Sequence, residues 1–312
     1  MPNPFFTVIT VTYNSSQFVR DAIESVLAST FTDFELIIGD DCSTDNTWEI
    51  INEYDDSRIV KYRNEINLRE YPNRNKALSM ARGEWVIFID GDDLMYPHAL
   101  SFVNEMIQKD NSVGMLLMRW YRNNVFYPII ISPRDFYLEK YFGEGFLGTA
   151  FTNVVFNKSC VIRNGGIPTD FKFGDDYLRM KIALSNNMMV VSDQLTFWRE
   201  TPNQASQINR HLLPVVFEKW DTEFYFLNEA LSLKIINQLE FSQAQWNLSK
   251  SILRMIIIQT LKMNFSKSMK ILLKYVSLLK LFHKRNQLTL PLSEFTPSNL
   301  LTLEKSKSRL ND

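Results

Sequence analysis

Between residues 5 and 120, apolar β-branched runs alternate with stretches of helical periodicity, and few folds accommodate that order. Phe6 to Tyr13, Phe34 to Ile38, Ile59 to Tyr62, Trp85 to Ile89 and Val113 to Trp120 have the length and side-chain type of buried strands. Phe18, Ala22, Ile23, Val26 and Leu27 recur at helical spacing, as do Trp48, Ile50, Ile51 and Tyr54. Further helices are expected over Asn73 to Ala81 and from Pro97 to about Lys109. Ser15 or Ser16, and Ser43 or Asp45, stand where the first two helices need caps, and Gly83 stands at the C′ position of the third. The expectation is an α/β, Rossmann-like fold: a mostly parallel central sheet with helices on both faces.

In such sheets ligands bind at the carboxyl ends of the strands. Three polar clusters follow strand ends here: Thr12-Tyr13-Asn14, Asp40-Asp41-Cys42-Ser43 and Asp90-Gly91-Asp92-Asp93. Chain order therefore predicts that they share one crevice. Three carboxylates in four residues repel one another unless a cation joins them. Carboxylate oxygens suit Mn²⁺ or Mg²⁺, which in turn suit phosphate oxygens. The plainer alternative is an acidic turn capping the helix after Pro97.

A nucleoside diphosphate in that crevice would find uses for these side chains. Tyr13 offers a face for stacking a base. Asp41 offers an acceptor for the base's imide N–H, or is a solvated turn or capping residue. Asp90 can accept from ribose hydroxyls, while Asp92 holds the metal against the phosphates. Arg74 adds positive charge beside a leaving diphosphate, or is an ordinary surface arginine. Asp175 and Asp176 are candidates for the base that deprotonates an acceptor hydroxyl. Alternatively, one of them caps the helical pattern from Tyr177 to Leu184. Gly165-Gly166-Ile167-Pro168, just upstream, reads as a turn.

Taken together, the chain resembles the glycosyltransferase family 2 enzymes, inverting nucleotide-sugar transferases with the A-type fold. The matching stretches are Val8 to Asn14, Phe34 to Asp45, Arg74-Asn75-Lys76-Ala77, Ala81 to Trp85 and Phe88 to Asp93. The resemblance is strong over residues 5–110, weaker to about 206 and absent beyond. It implies that Val11, Tyr13, Asn14, Asp41, Arg74 and Asp90 contact the nucleotide. It implies Asp92 as the ligand of Mn²⁺ or Mg²⁺, with Asp93 beside it in the metal group. The family's acidic pair falls at Asp175-Asp176. Counting back from Lys181 and Ala183 puts the base at Asp175, whereas counting from the doublet favours Asp176; Asp175 is preferred. Two features depart from the family pattern. Many members carry a histidine near Trp198-Arg199-Glu200-Thr201, which leaves the third metal ligand open here, and His211 reads as structural. Cys42 stands where glycine is common.

The implied activity is transfer of a sugar from a nucleoside-diphosphate sugar, UDP expected, to a glycan or lipid-linked acceptor in surface-polysaccharide assembly. A non-catalytic sugar-nucleotide binder or membrane scaffold is the alternative. The expected organisation is a transferase domain over 1–206, with a nucleotide-binding half at 1–110 and an acceptor half at 111–206. A helical basic region over 207–312 follows.

Charge distribution bears on partners. Net charge is −1, yet from Phe241 to Ser293 there are nine Lys or Arg and no Asp or Glu, so the rest of the chain is −10. Phe265, Met269, Leu272, Leu273, Val276, Leu279 and Phe282 recur at helical spacing there, interleaved with lysines. An amphipathic helix for an anionic membrane surface is expected, ahead of dimerisation. No base-reading motif points to nucleic acid. Cys42 and Cys160 are widely separated and read as free thiols in a reducing compartment. Met1-Pro2-Asn3-Pro4 leads straight into a strand-like run with no export signal, and no window is apolar enough to span a bilayer. A cytoplasmic protein, peripheral on the membrane, is expected.

Overall fold

The apolar runs become strands wherever alternate residues can be buried on opposite faces. In the computed structural model, residues 3–118, 126–143, 145, 148–201 and 213–285 are described, with side chains up to residue 280. The strands are β1 (Phe6–Thr12), β2 (Phe34–Asp40), β3 (Ile59–Arg63), β4 (Trp85–Asp90), β5 (Leu94–Met95), β6 (Met115–Met118), β7 (Ile129–Ile131), β8 (Val154–Asn157), β9 (Met188–Val191) and β10 (Thr196–Phe197). The helices are α1 (Val19–Leu27), α2 (Thr47–Asn52), α3 (Glu70–Met80), α4 (Ala99–Lys109), α5 (Pro133–Phe142), α6 (Lys158–Arg163), α7 (Gly174–Ala183), α8 (Leu213–Ser232), α9 (Gln238–Leu261) and α10 (Phe265–Arg285).

One sheet runs in the order β3-β2-β1-β4-β8-β6-β9-β7, and β5 pairs with β10 in a separate ribbon. β1 to β4 are mutually parallel, as expected. β8 enters antiparallel between β4 and β6, and β7 lies antiparallel on β9. Phe6, Val8, Leu36, Ile38, Ile87 and Ile89 are buried on the face that holds Val19 and Ile23 of α1 and Leu100 and Val103 of α4. α3 packs on β1 and β2. Full burial of each such aliphatic side chain contributes about 1.5–3 kcal/mol, so the parallel half forms a rigid base for the loops at its carboxyl edge.

Several local expectations are corrected. α1 has no side-chain cap; instead the Ser15 carbonyl accepts from Phe18 N and Val19 N. Asp45, not Ser43, serves the start of α2, accepting from Thr47 N at 3.1 Å, while the Ser43 hydroxyl donates to Asp40. The third helix begins at Glu70 rather than Asn73. Gly83 is needed for close approach, not for a left-handed cap. A Cβ there would lie 2.5 Å from Thr7 N, against β1. The sixth strand is described to Met118, and the end expected at Trp120 lies outside the described residues.

Packing divides the chain into a unit of 1–121 with 127–247 and a unit of 122–126 with 248–312. α8 and the residues of α9 up to Asn247 thus group with the first unit. The reason is that α8 and the start of α9 bond to the first unit. Lys140 of α5 pairs with Glu223 of α8, the Tyr141 hydroxyl donates to the Glu223 carbonyl at 2.9 Å, and Arg134 pairs with Glu240 of α9. The 202–212 stretch, including His211 and much of the expected boundary, lies outside the described residues.

Candidate active site

Strand register assembles the site. Val11 is opposite Gly39 on β2 and opposite Asp90 on β4, and Thr12 is opposite Asp40. The three polar clusters therefore leave the sheet side by side at its carboxyl edge, as chain order predicted. Gly91 is dictated by this crowding: a Cβ there would lie 2.9 Å from both Thr12 Cβ and Thr12 Oγ1. The acidic cluster does not cap α4, whose N-cap residue is His98.

Asn14 and Asp41 build the loops on the nucleotide side. Asn14 has φ 50°, its N–H donates to Ser43 Oγ at 2.9 Å, and its Oδ1 accepts from Thr44 N at 2.8 Å. Cys42 has φ 64°, which explains why a glycine suits that position. Asp41 is neither a solvated turn residue nor a helix cap. It is buried and accepts from Asn64 Nδ2 at 2.8 Å, Leu68 N at 2.9 Å and Arg69 N at 2.8 Å. Those bonds hold the loop in which Arg69 takes φ 72°. Val11 is partly buried, while Tyr13 is 49% exposed, with a ring available for stacking.

Arg74 is not a surface arginine. It is buried, ion-paired to Asp90 and, at 3.0 Å, to Glu70, with its guanidinium 4.9 Å from the Phe151 ring centroid and 5.7 Å from that of Phe88. Nε and Nη1 of Arg74 are buried without a hydrogen-bond partner. Asp90 is pushed up to about 6, first by removal from solvent; Arg74 opposes this, while the charges of Glu70, Asp92 and Asp175 add to it. Its side chain nevertheless keeps 38% of its surface open, toward the crevice.

Asp92 and Asp93 part company. Asp92 Oδ2 accepts from Thr201 Oγ1 at 2.9 Å. Asp93 is buried, and its Oδ1 accepts from Arg199 N at 3.0 Å. Burial first, then the Asp90 charge, push it up to about 7. Asp93 thus anchors the segment that follows β10. The segment where a histidine was missing supplies a hydroxyl to the Asp92 carboxylate.

α7 starts at Gly174 with Phe173 as N-cap residue, so neither acidic residue caps it by its side chain. Asp175 Oδ1 lies 3.2 Å from the Tyr71 hydroxyl, which is also 3.1 Å from the Lys172 carbonyl. Burial and the charge of Asp175 keep the Tyr71 phenol protonated. Asp176 pairs with Arg179, and its carboxyl is pushed up by burial, against the pull of Arg179. Asp175 acts on Asp90, Arg74 and Tyr71, whereas Asp176 feels Lys140 and Lys219. Both carboxylates reach Arg179, Asp176 as the closer pair and Asp175 Oδ2 at 3.5 Å, and Asp175 is also in contact with Tyr71.

Tyr71, Glu70, Arg179 and Thr201 are site residues that sequence reading missed. Tyr71 stands three positions before Arg74 on one helix face, which was a usable signal. Among the described residues, no cluster of three His, Cys, Asp or Glu side chains could enclose a metal by itself.

A model of glycosyl transferase family 2 matches residues 7–162. One curated relative, the UDP-Glc:alpha-D-GlcNAc-diphosphoundecaprenol beta-1,3-glucosyltransferase WfaP of Escherichia coli, is 40% identical over 87 residues, 28% of this chain and 35% of that protein. The chain thus spans about a third of the length of WfaP. WfgD, of the same described activity and also from Escherichia coli, is 26% identical over 237 residues, 74% of this chain and 90% of that protein. Among solved structures, the mannosyltransferase PcManGT from Pyrobaculum calidifontis, in complex with GDP-Man and Mn²⁺, superposes with a TM-score of 0.58 at 16% identity. That match covers 89% of this chain and 88% of the other.

Proposed function

The chain belongs to glycosyl transferase family 2, and on that footing we propose that it moves a sugar from a UDP-sugar to a hydroxyl of a lipid-linked glycan, with inversion at the anomeric carbon. The observation that carries this reading is that α3 joins two distant stretches of chain, its Arg74 paired with Asp90 at the Asp90–Asp92 turn and its Tyr71 hydroxyl 3.2 Å from Asp175 Oδ1. WfaP and WfgD support the donor and acceptor classes, since their names specify UDP-glucose and a diphosphoundecaprenol acceptor.

The base stacks on Tyr13 above Val11, in a pocket whose wall is set by Asn14 and Asp41. Asp41 has one acceptor site left for an imide N–H after its three protein bonds. Asp90 accepts from the ribose and is held by Arg74, which keeps positive charge near the departing diphosphate.

The donor set fits a divalent cation: the hard carboxylate oxygens of Asp90 and Asp92 stand two residues apart at the end of β4, and among the described residues no cluster of three such side chains encloses an ion without substrate phosphates. Asp92 would hold Mn²⁺ or Mg²⁺, oriented by Thr201. Bound there, the ion supplies neutralisation of the leaving diphosphate. Asp175, aimed by Tyr71, takes the proton of the acceptor hydroxyl as that oxygen attacks opposite the leaving group. Asp176 holds Arg179 and supports the start of α7. A lipid-linked acceptor would put the reaction beside a membrane surface.

The test is thermal-shift screening of UDP-, GDP- and dTDP-sugars with and without Mn²⁺, followed by transfer to a diphosphoundecaprenol-linked sugar. A donor at 100 times its Kd stabilises by about 2.7 kcal/mol. Stabilisation by UDP-sugars with transfer supports the proposal. Tight donor binding with neither transfer nor hydrolysis would leave a sugar-nucleotide binder instead.

A further inference from the structure

α10 exposes an apolar stripe that no described residue of its own unit covers. Phe265, Met269, Leu272, Leu273, Val276 and Leu279 are each at least 36% exposed, whereas Ile271 and Leu278 are buried. At 100° per residue the six fall within an arc of roughly 120°, and Ile271 and Leu278 face elsewhere. The last turns of α9 repeat the pattern, with Ile257, Ile258 and Leu261 exposed and Ile252 buried. The two helices are joined by a tight turn: Asn264 N donates to the Gln259 carbonyl at 2.9 Å, and the Thr260 and Ser268 hydroxyls are 2.6 Å apart.

No helix among the described residues is long and apolar enough to cross a bilayer. The stripe is instead one-sided; at the same 100° per residue Lys280 lies within its arc and Lys250 and Arg254 within that of the exposed α9 residues, while Lys267, Lys270 and Lys274 lie on the far side of α10. Lys250, Arg254, Lys262, Lys267, Lys270, Lys274 and Lys280 lie on this hairpin, within a stretch from Phe241 to Ser293 that contains no Asp or Glu. A second copy of the hairpin would bring like charges face to face with no acid to offset them. An anionic bilayer offers the complement to both features at once, burying the apolar residues at the acyl boundary while lysines meet the headgroups.

We propose that the α9–α10 hairpin docks on the surface of an anionic lipid bilayer. This rests on the reading above in one respect: a lipid-linked acceptor is met at such a surface.

The experiment is flotation of the full chain with vesicles of phosphatidylcholine alone or with about 30% phosphatidylglycerol. Binding to the anionic vesicles should be at least about tenfold stronger, and should fall as salt shortens the Debye length from about 10 Å at 0.1 M to 3 Å at 1 M. The triple change Leu272→Ser, Leu273→Ser, Val276→Ser should remove binding while helical content and the thermal shift produced by UDP-glucose with Mn²⁺ are retained. Changing Lys250, Arg254 and Lys280 to Gln should remove the preference for anionic lipid. Equal binding to both vesicle types, or a lipid-independent dimer that the triple change dissociates, would overturn the proposal. The two readings fail separately: donor binding without flotation removes the docking surface alone, and flotation without transfer removes the enzyme alone.

Discussion

Tyr71 of α3 and Asp175 of α7 are 104 positions apart in sequence, yet the Tyr71 hydroxyl lies 3.2 Å from Asp175 Oδ1. The contact ties the helix that carries Arg74 to the helix that carries the proposed base. Tyr71→Phe should lower kcat about tenfold with little change in the donor KM, because it misdirects the base without touching the nucleotide. Steady-state kinetics with donor and acceptor varied in turn would show the split; an unchanged kcat would remove Tyr71 from the mechanism.

The acidic doublet should divide by function. Asp175→Asn should cut kcat by about 10²–10⁴ while donor-induced thermal stabilisation persists. Asp176→Asn should retain measurable turnover but lose about 2 kcal/mol of stability, since Arg179 is nearly fully buried and loses its closer anionic partner. Denaturant titration and rate measurements on both variants decide it, and the opposite pattern would assign the base to Asp176.

Arg74→Lys keeps the charge but cannot reach Asp90 and Glu70 with one planar group. It should raise the donor KM several-fold and lower the melting temperature. Arg74→Ala should cost about 3 kcal/mol, because it leaves Asp90 without its cation and opens space beside Phe88 and Phe151. Calorimetry of the two variants would compare the losses.

Metal removal tests the donor set. Chelation with EDTA should abolish transfer, and Mn²⁺ should restore it. Asp92→Ala should resist rescue at the same Mn²⁺ concentration. Full activity in EDTA would place charge neutralisation on protein cations instead.

Glu35 supplies a pH test away from the crevice. Burial opposes its charge, but bonds from Arg82 N at 2.6 Å, from the Thr7 hydroxyl at 2.7 Å and from Arg82 Nε at 2.8 Å outweigh it, so its carboxyl is held below the usual value. A depressed carboxylate stabilises the fold above its unfolded pKa, and that stability is lost as pH falls through the folded one. Glu35→Gln should therefore cost about 1–3 kcal/mol near pH 7, and the difference from the unaltered chain should shrink below about pH 4. Thermal melts at both pH values would show whether the gap closes.

The parallel half of the sheet was legible because its evidence is local. Phe6 to Thr12 and Trp85 to Ile89 announce buried strands by side-chain type, and their order implies which ends meet. β8 and β9 were not legible. Each is four residues long, too short to display periodicity, and β8 reverses direction to lie between β4 and β6. Asp93 stands next to Asp92 in sequence, yet its bond to Arg199 N joins segments 106 positions apart, a contact that no spacing along the chain announced.

Residue order alone thus settled the α/β class and the meeting of the three polar clusters at the strand ends, since each depends on periodicity or on neighbours a few positions away. The partners of the acidic side chains came only with the folded chain: Tyr71 set against Asp175, Arg74 taken inside against Asp90, and Thr201 brought to Asp92. Hydrogen bonds and ion pairs form through space, and loops bring together residues whose spacing along the chain carries no record of the contact.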